Sequence, residues 1–365
     1  MGESITKSEK LNIFGDFYLS PDDNLDVFSE IKKHLFESKF NIVNFEGPIV
    51  NKGKIVVKTG PNLKQHPNSV DVLLKSNIKN LCLSNNHILD YGESNLDNSV
   101  KIFKENNLQF YGLLNQGNKS LSLDGIEIGI INVSEHEWQS HYSSNVQYED
   151  TVDTSNLILE MKHINDFNIL IYHGGLEHQT YPSLKLLEKL TLYIKLGVDL
   201  ICVHHSHCIS GVKEIDGKKI YFGLGNFYFS DFSKKNQHSN TGIGVNVSVK
   251  NNELHSEHFF IEKKRNKVQI LKENDTTLKK LKIDFKTISE NLNNKISFRL
   301  KNEIIHKKVY QNYINYINPF YRPNRFFKSL NRFIPKSKIR LIYNLIRNDT
   351  HREMLIISLK KYLNK

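Results

Sequence analysis

A layered α/β fold with a basic helical extension at its C-terminal end is what this sequence predicts, on three observations. Short β-branched runs alternate with amphipathic segments of helical period, the pattern of repeated βα units. The apolar runs end in clusters of polar residues, as expected where strands deliver a site at their carboxyl ends. Charge is segregated too: residues 263–365 carry 26 Lys/Arg against 7 Asp/Glu, whereas the preceding 262 residues carry 24 against 32.

Taken along the chain, Leu11–Phe14, Asn41–Val43, Asn80–Leu83, Asn168–Tyr172 and Asp199–Val203 read as buried strands. Asn24–Ser38, Ser94–Asn106, Thr154–Asn165 and Ser183–Leu196 read as the helices between them. Two stretches read as hairpins, Leu121–Val133 around Asp124-Gly125 and Gly242–Phe260 around Asn251-Asn252, so a mixed sheet or a pair of sheets follows. No fixed period recurs, which disfavours solenoids and propellers. From about Glu262 the strand-and-turn pattern stops, and a Lys-rich helical spacing begins, interrupted at Pro319, Pro323 and Pro335. Near the end, Ile339, Leu341, Ile342, Leu345 and Ile346, then Leu355, Leu359 and Leu363, keep a period near 3.6, an amphipathic basic helix or helix pair. The expected division is a body of residues 8–262 and a basic, aromatic-containing, mostly helical region of 263–365.

The 365 residues suffice for one large domain with an appendage. Three cysteines, Cys82, Cys202 and Cys208, with the first two in strand-like runs, give no disulfide framework and suit a reducing compartment. The first residues lack the apolar core of about 7–15 residues that a signal peptide needs, and no stretch approaches the roughly 18 apolar residues of a membrane span. The expected location is cytoplasmic, with a peripheral place at the inner face of the membrane open to the basic region. GxSxG, P-loop and dinucleotide fingerprints are absent, which leaves nucleophilic-serine and nucleotide-triphosphate chemistry by those motifs unsupported.

The strand ends carry the chemistry. In order they present Asp16; Asn44 and Glu46; Asn86 and His87; His173; and His204, His205 and His207. Any one of these alone reads as a turn former, a cap or a satisfied histidine, but five successive ends with carboxylate, imidazole and amide oxygen describe a metal pocket. Such donors suit Mn²⁺, Fe or Zn²⁺.

The strings GDFYLS, NFEGPI, LSNNHILDYG, YHGGLEH, VDLICVHHSHC and IYFGLGNFYF, in this order over residues 11–262, resemble the successive signatures of the CapA family of poly-γ-glutamate and capsule synthesis proteins. That family is similar to calcineurin-like metallophosphoesterases, which implies a four-layer αββα sandwich around a one- or two-metal centre. The resemblance implies Asp16 as ligand of a first metal, Glu46 as bridging carboxylate, Asn86, His173 and His205 on a second metal, and His207 returning to the first. It implies His87 as general acid or phosphate-orienting group, with Asp90 either holding its tautomer or capping the following helix. The Asp-x-His signature of phosphoesterases reads Asp16-Phe17-Tyr18 here, so the first metal lacks the imidazole that this signature usually supplies. Gly174 stands where many relatives have an aromatic residue, and Glu177 is followed by His178 instead of Tyr. Glu177 reads either as a pocket ligand or base or as a solvated helix-start carboxylate. Asn44, His204 and Asn226 are further candidates to line the pocket, Asn226 more as a loop-fixing residue than as a ligand; His136 reads first as a loop residue.

The function so implied is metal-dependent hydrolysis of the phosphoesterase type in capsule or surface-polymer biosynthesis. Alternatives are a non-catalytic subunit that binds polymer or the synthesis machinery, and an amide hydrolase or transferase on a poly-γ-glutamate-like chain. Expected partners are an anionic polymer or phosphorylated glycan and, through residues 263–365, a membrane surface or membrane synthesis complex, or else the acidic body itself. Basic and aromatic residues alternate most densely at Tyr321–Lys328. No nucleic-acid-binding module is recognisable, and nucleic acid is not an expected partner.

Overall fold

A computed structural model describes residues 8–50, 52–58, 60–114, 119–136, 145–230, 240–317 and 336–363. The prolines at 319, 323 and 335 and the Tyr321–Lys328 stretch lie outside the described residues.

Two sheets face each other. The first has the order β14-β13-β12-β1-β2-β3-β4, from Lys267–Ile270 (β14), Glu253–Lys264 (β13), Thr241–Lys250 (β12), Leu11–Tyr18 (β1), Phe40–Phe45 (β2), Asn80–Cys82 (β3) and Gln109–Tyr111 (β4), with Asn226–Phe229 (β11) also paired to β1. The second has the order β5-β6-β7-β8-β10-β9, from Lys119–Leu123 (β5), Ile126–Ser134 (β6), Phe167–His173 (β7), Leu200–His204 (β8), Lys218–Tyr221 (β10) and Val212–Ile215 (β9). Alternate residues of β1, β2 and β12, such as Ile13, Ile42 and Val245, meet Ile128, Ile169 and Cys202 of β6, β7 and β8 in one buried layer between the sheets. The outer face of the first sheet packs on Lys32–Phe36 (α1), Ser69–Leu74 (α2) and Glu93–Glu105 (α3). That of the second packs on Thr151–Ile164 (α4) and Leu184–Leu196 (α5). Helix, sheet, sheet, helix is the expected four-layer αββα sandwich.

Local chemistry explains most boundaries. Asp150 caps α4 by accepting from the backbone N–H groups of Val152 and Asp153, and Ser183 caps α5 through Leu186. Asp124-Gly125 and Asn251-Asn252 take positive φ at the two expected hairpins, the geometry of the tight primed turns. Two expectations need correction. The apolar pattern of Asn24–Ser38 buries Val27, Phe28 and Ile31, but only Lys32–Phe36 is helical. The Asn24 side chain accepts from the N–H of Asp26 at 2.8 Å, a local bond that competes with helix there. Strand structure also continues past Glu262: Arg265 and Asn266 turn at positive φ, and β14 closes a further hairpin. Its lysines hid the alternation, yet Lys263 is buried and donates to the carbonyl of Phe229 at 2.7 Å. The β9/β10 hairpin, too short to show a period, carries no signal in the sequence.

After β14 come Thr276–Asn293 (α6), Lys295–Ile317 (α7), Lys336–Arg347 (α8) and Asp349–Leu363 (α9), so the expected terminal helix pair is α8 and α9. Among the described residues, no helix is long and apolar enough to cross a membrane. The three cysteines are buried and free of disulfides.

One contact fixes the site end of β1. A Cβ on Gly15 would stand 1.8 Å from the carbonyl oxygen of Gly225, so only glycine lets β11 lie against β1 in the register that sets Asp16 opposite Asn226. Gly15→Ala is therefore expected to destabilise the protein by about 1–3 kcal/mol, the usual range for overpacking, with the lower midpoint read in urea unfolding.

Candidate metal centre

The carboxyl ends of β1, β2, β7 and β8 meet at Asp16, a buried carboxylate. Its Oδ1 accepts from Asn44 Nδ2 at 2.8 Å and its Oδ2 from the backbone N–H of His205 at 3.3 Å. His207 Nδ1 lies 3.3 Å from Oδ2, and His173 Nδ1 and His204 Nδ1 each lie 3.9 Å from Oδ1. His205 and His207 both take positive φ, 89° and 53°, unusual for residues with a Cβ. That bend brings the His205 N–H, and two residues later the His207 ring, back to the same carboxylate.

Around Asp16 the expected residues fall as follows. Glu46 is fully buried, with Oε1 4.0 Å from His207 Nε2 and 3.8 Å from His87 Nε2. Asn44 is a hub: its Nδ2 reaches Asp16, Glu46 at 3.4 Å and His173 Nδ1 at 3.3 Å, and its Oδ1 accepts from Asn85 at 3.2 Å. Asn86 Oδ1 stands 3.0 Å from His173 Nε2. Asn226 Oδ1 stands 2.9 Å from His207 Nδ1 and so orients that ring. The ring of His205 is 4.9 Å from that of His173. Ligand atoms of Asp16, His173 and His204, and those of Asp16, Glu46 and His207, each lie within 4.8 Å of one another, so two potential cation sites share Asp16.

Asp90 does not cap the next helix, whose N-cap is Gly92 with no side-chain cap; its Oδ2 is 2.6 Å from His87 Nδ1 and accepts the Leu63 N–H. Glu177 is exposed and precedes no helix directly, since α5 begins at Leu184 after its Ser183 cap. It is near enough to raise Glu46, His87 and His207 electrostatically, which puts it at the rim of the pocket. His136 turns away from the pocket, stacking on Tyr148 and meeting Arg347 at 2.8 Å.

Sequence reasoning missed Lys58. Its buried ammonium is ion-paired with Asp90 and lies 3.1 Å from His87 Nδ1. A lone lysine in a polar loop has no period to betray it. Gly174 also acquires a reason: a Cβ there would stand 2.7 Å from Cγ of Glu135, whose Oε1 accepts from Tyr172 at 3.0 Å and Thr350 at 2.9 Å.

The electrostatics are those of a site built for positive charge. Burial and the Asp16 charge push Glu46 up to about 8. Despite burial, the hydrogen bond to Asp16 and the Glu46 charge push His207 up to about 10. Burial opposes ionisation of Asp16, but His207 and the other imidazoles hold it well below the usual carboxylate range. Burial lowers His204, and burial with the neighbouring His205 lowers His173, leaving both rings neutral and able to offer lone pairs. Glu46 Oε1 and both ring nitrogens of His204 are buried with no hydrogen-bond partner among the described residues. Such atoms are costly unless something binds them. A divalent cation fits: the donors are oxygen and nitrogen without thiolate, the set that suits Mn²⁺, Fe or Zn²⁺.

Residues 9–231 match the family described as bacterial capsule synthesis protein PGA_cap. The chain is 26% identical over 214 residues to the PGA biosynthesis protein CapA of Bacillus subtilis (strain 168), covering 56% of each protein. It is 22% identical over 220 residues to the capsule biosynthesis protein CapA of Bacillus anthracis, covering 56% of this chain and 53% of that one. The chain thus spans about half the length of the curated relatives it matches. Among solved structures, a putative 5'-nucleotidase from Staphylococcus aureus aligns with a TM-score of 0.46 at 15% identity, over 76% of this chain and 58% of that one.

Protons on Glu46 and His207 compete with a cation for the same atoms. Because both groups titrate above their ordinary values, Mn²⁺ affinity is expected to rise between pH 6 and 8, by about tenfold per unit for each proton released. Calorimetric titrations across that range measure the slope, and Glu46→Gln is expected to flatten it.

Proposed function

The chain belongs to the bacterial capsule synthesis protein family, and from that premise we propose that it is a metal-dependent hydrolase of the phosphoesterase type, serving capsule or surface-polymer synthesis. The observation that carries this reading is the pair of ligand sets sharing Asp16, with His87 poised beside them. Asp16, Glu46, His173, His204 and His207 would hold the cation or cations, and the resemblance adds Asn86 and His205. The chemistry such a cation would supply there is positive charge at a phosphoryl oxygen and acidification of a water toward neutral pKa.

The chain's own groups set the proton chemistry. Asp90 and Lys58 both address Nδ1 of His87, and they demand opposite tautomers. The 2.6 Å contact to the carboxylate is the shorter, so the Nδ1 proton goes to Asp90 and Nε2 is left as an acceptor toward the pocket. Burial and the Lys58 ammonium keep the ring below its ordinary pKa, hence neutral near pH 7. In that state Nε2 can take a proton from an attacking water and return it to the leaving oxygen. Exposed Glu177 at the rim adds negative charge that favours the protonated ring during the transfer. The expected substrate is a phosphorylated glycan or another anionic polymer of the cell surface.

One observation favours the non-catalytic alternative, a subunit that binds polymer or synthesis machinery through the same pocket. The position of the missing imidazole is held by Tyr18, whose ring packs on Phe229 at 5.1 Å between centroids.

Hydrolysis of aryl phosphate mono- and diesters with Mn²⁺ separates the two readings. His87→Ala is expected to lose about 100-fold or more in turnover, the scale of general acid–base catalysis, while retaining bound metal; Asp16→Ala is expected to lose both. Stoichiometric metal without turnover of phosphate esters would move the assignment to the binding subunit.

A further inference from the structure

The C-terminal helices carry apolar rows that the fold does not use. The inner side of α7 is buried through Phe298, Ile305 and Tyr313. Its outer side sets Ile296, Leu300 and Ile304 one helical turn apart, each between 54% and 74% exposed. Exposed Lys295, Arg299, Lys307 and Lys308 flank that row, with Glu303 among them. The pattern recurs on α8, where Ile339, Tyr343 and Ile346 are each more than half exposed and exposed Arg340 stands beside them. Scattered exposed aliphatics need no explanation, but apolar rows on two contacting helices do. A helix apolar on two sides ordinarily buries both.

The joint between these helices and the sandwich does not consume their basic character. A basic extension lying on an acidic body by charge would pair its lysines with body carboxylates. At the α5–α9 contact the reverse holds: Asp349 of α9 accepts from Lys189 of α5 at 2.8 Å, and Thr350 donates to Glu135. Beside these, Arg347 of α8 meets the His136 ring at 2.8 Å and Glu353 accepts from the backbone N–H of Lys185, around an apolar cluster in which Leu176 packs among Ile305, Tyr313, Leu345, Met354 and Leu355. The cations of α7 are left facing outward.

We propose that the outer face of α7, together with that of α8, docks in the plane of an anionic lipid surface. Cations flanking aliphatic rows are what an interfacial helix needs: headgroup phosphates meet the Lys and Arg, and the acyl boundary takes the Ile and Leu. A hydrated polyanion satisfies the cations alone and leaves the aliphatic rows in water. The inner face of the same helices grips Leu176, three residues past His173, so docking would hold the candidate metal centre near the lipid surface. The proposal stands apart from the hydrolase reading, since vesicle binding needs no turnover.

Sedimentation of the full chain with sucrose-loaded vesicles tests it, comparing pure phosphatidylcholine with a mixture containing phosphatidylglycerol. Binding is expected to the anionic vesicles only, to weaken with salt, and to fall about fivefold for each basic residue of the face that is neutralised. Ile296→Gln/Leu300→Gln/Ile304→Gln, with its unfolding midpoint and metal content checked against the parent, is expected to lose at least tenfold. Absence of binding to anionic vesicles, or full binding by that variant, overturns the proposal. So does a dimer of the parent in light scattering that the variant abolishes, which assigns the rows to a second copy. Equal capture of parent and variant by poly-glutamate beads, with no vesicle binding, assigns the face to a polymer instead.

Discussion

The structure turns on one buried carboxylate. Asp16 sits at the end of a central strand with almost no exposure, where an uncompensated charge would cost several kcal/mol. Its compensation comes from separate strand ends: the Asn44 amide from β2, and the bent backbone and ring beyond β8. Each of these holds only if the two sheets face each other in one register. Within the first sheet, the close approach of Gly15 to Gly225 sets the register of β11 on β1, and through it Asn226 is positioned to orient His207. The fold and the site therefore share their most exacting requirement.

The polar core around Asp16 is arranged in tiers. Asn44, Asn85 and Asn86 are neutral amides that tie the carboxylates and imidazoles together without adding charge. Farther out, Lys58 and Asp90 form a buried ion pair whose outlet toward the pocket is His87. Opposite them, Glu135 donates its backbone N–H to the carbonyl of His173 and accepts from Thr350 of the C-terminal helices. The helical extension is thus bonded to the residue beside a candidate ligand, rather than being a free tail.

Much of this was legible in the sequence because local chemistry and global fold agree. Capped, periodic helices such as α4 and α5, and hairpins with Asn or Asp-Gly turns, declared themselves. So did the strand ends, because polar clusters after apolar runs are hard to explain otherwise, and the order of their motifs matched a known family. What stayed hidden lacked a local signature. The β13–β14 hairpin has lysines where a pattern reader expects apolar residues, and Asn24 diverts a helical pattern into turns. Lys58 acts through partners about 30 residues away, and the grip of Thr350 on Glu135 spans most of the chain. Which of His204 and His205 turns its ring to Asp16 was equally unreadable: His204 shares the ligand grouping with Asp16 and His173, while His205 offers its backbone N–H.

The most direct test of the centre is crystallographic location of Mn²⁺ by anomalous scattering in the full chain. The account predicts a peak within bonding distance of Asp16, shared with His173 and His204 or with Glu46 and His207, and its loss in Asp16→Asn. A well-ordered pocket with no peak at saturating Mn²⁺, or a peak elsewhere that survives Asp16→Asn, would contradict it.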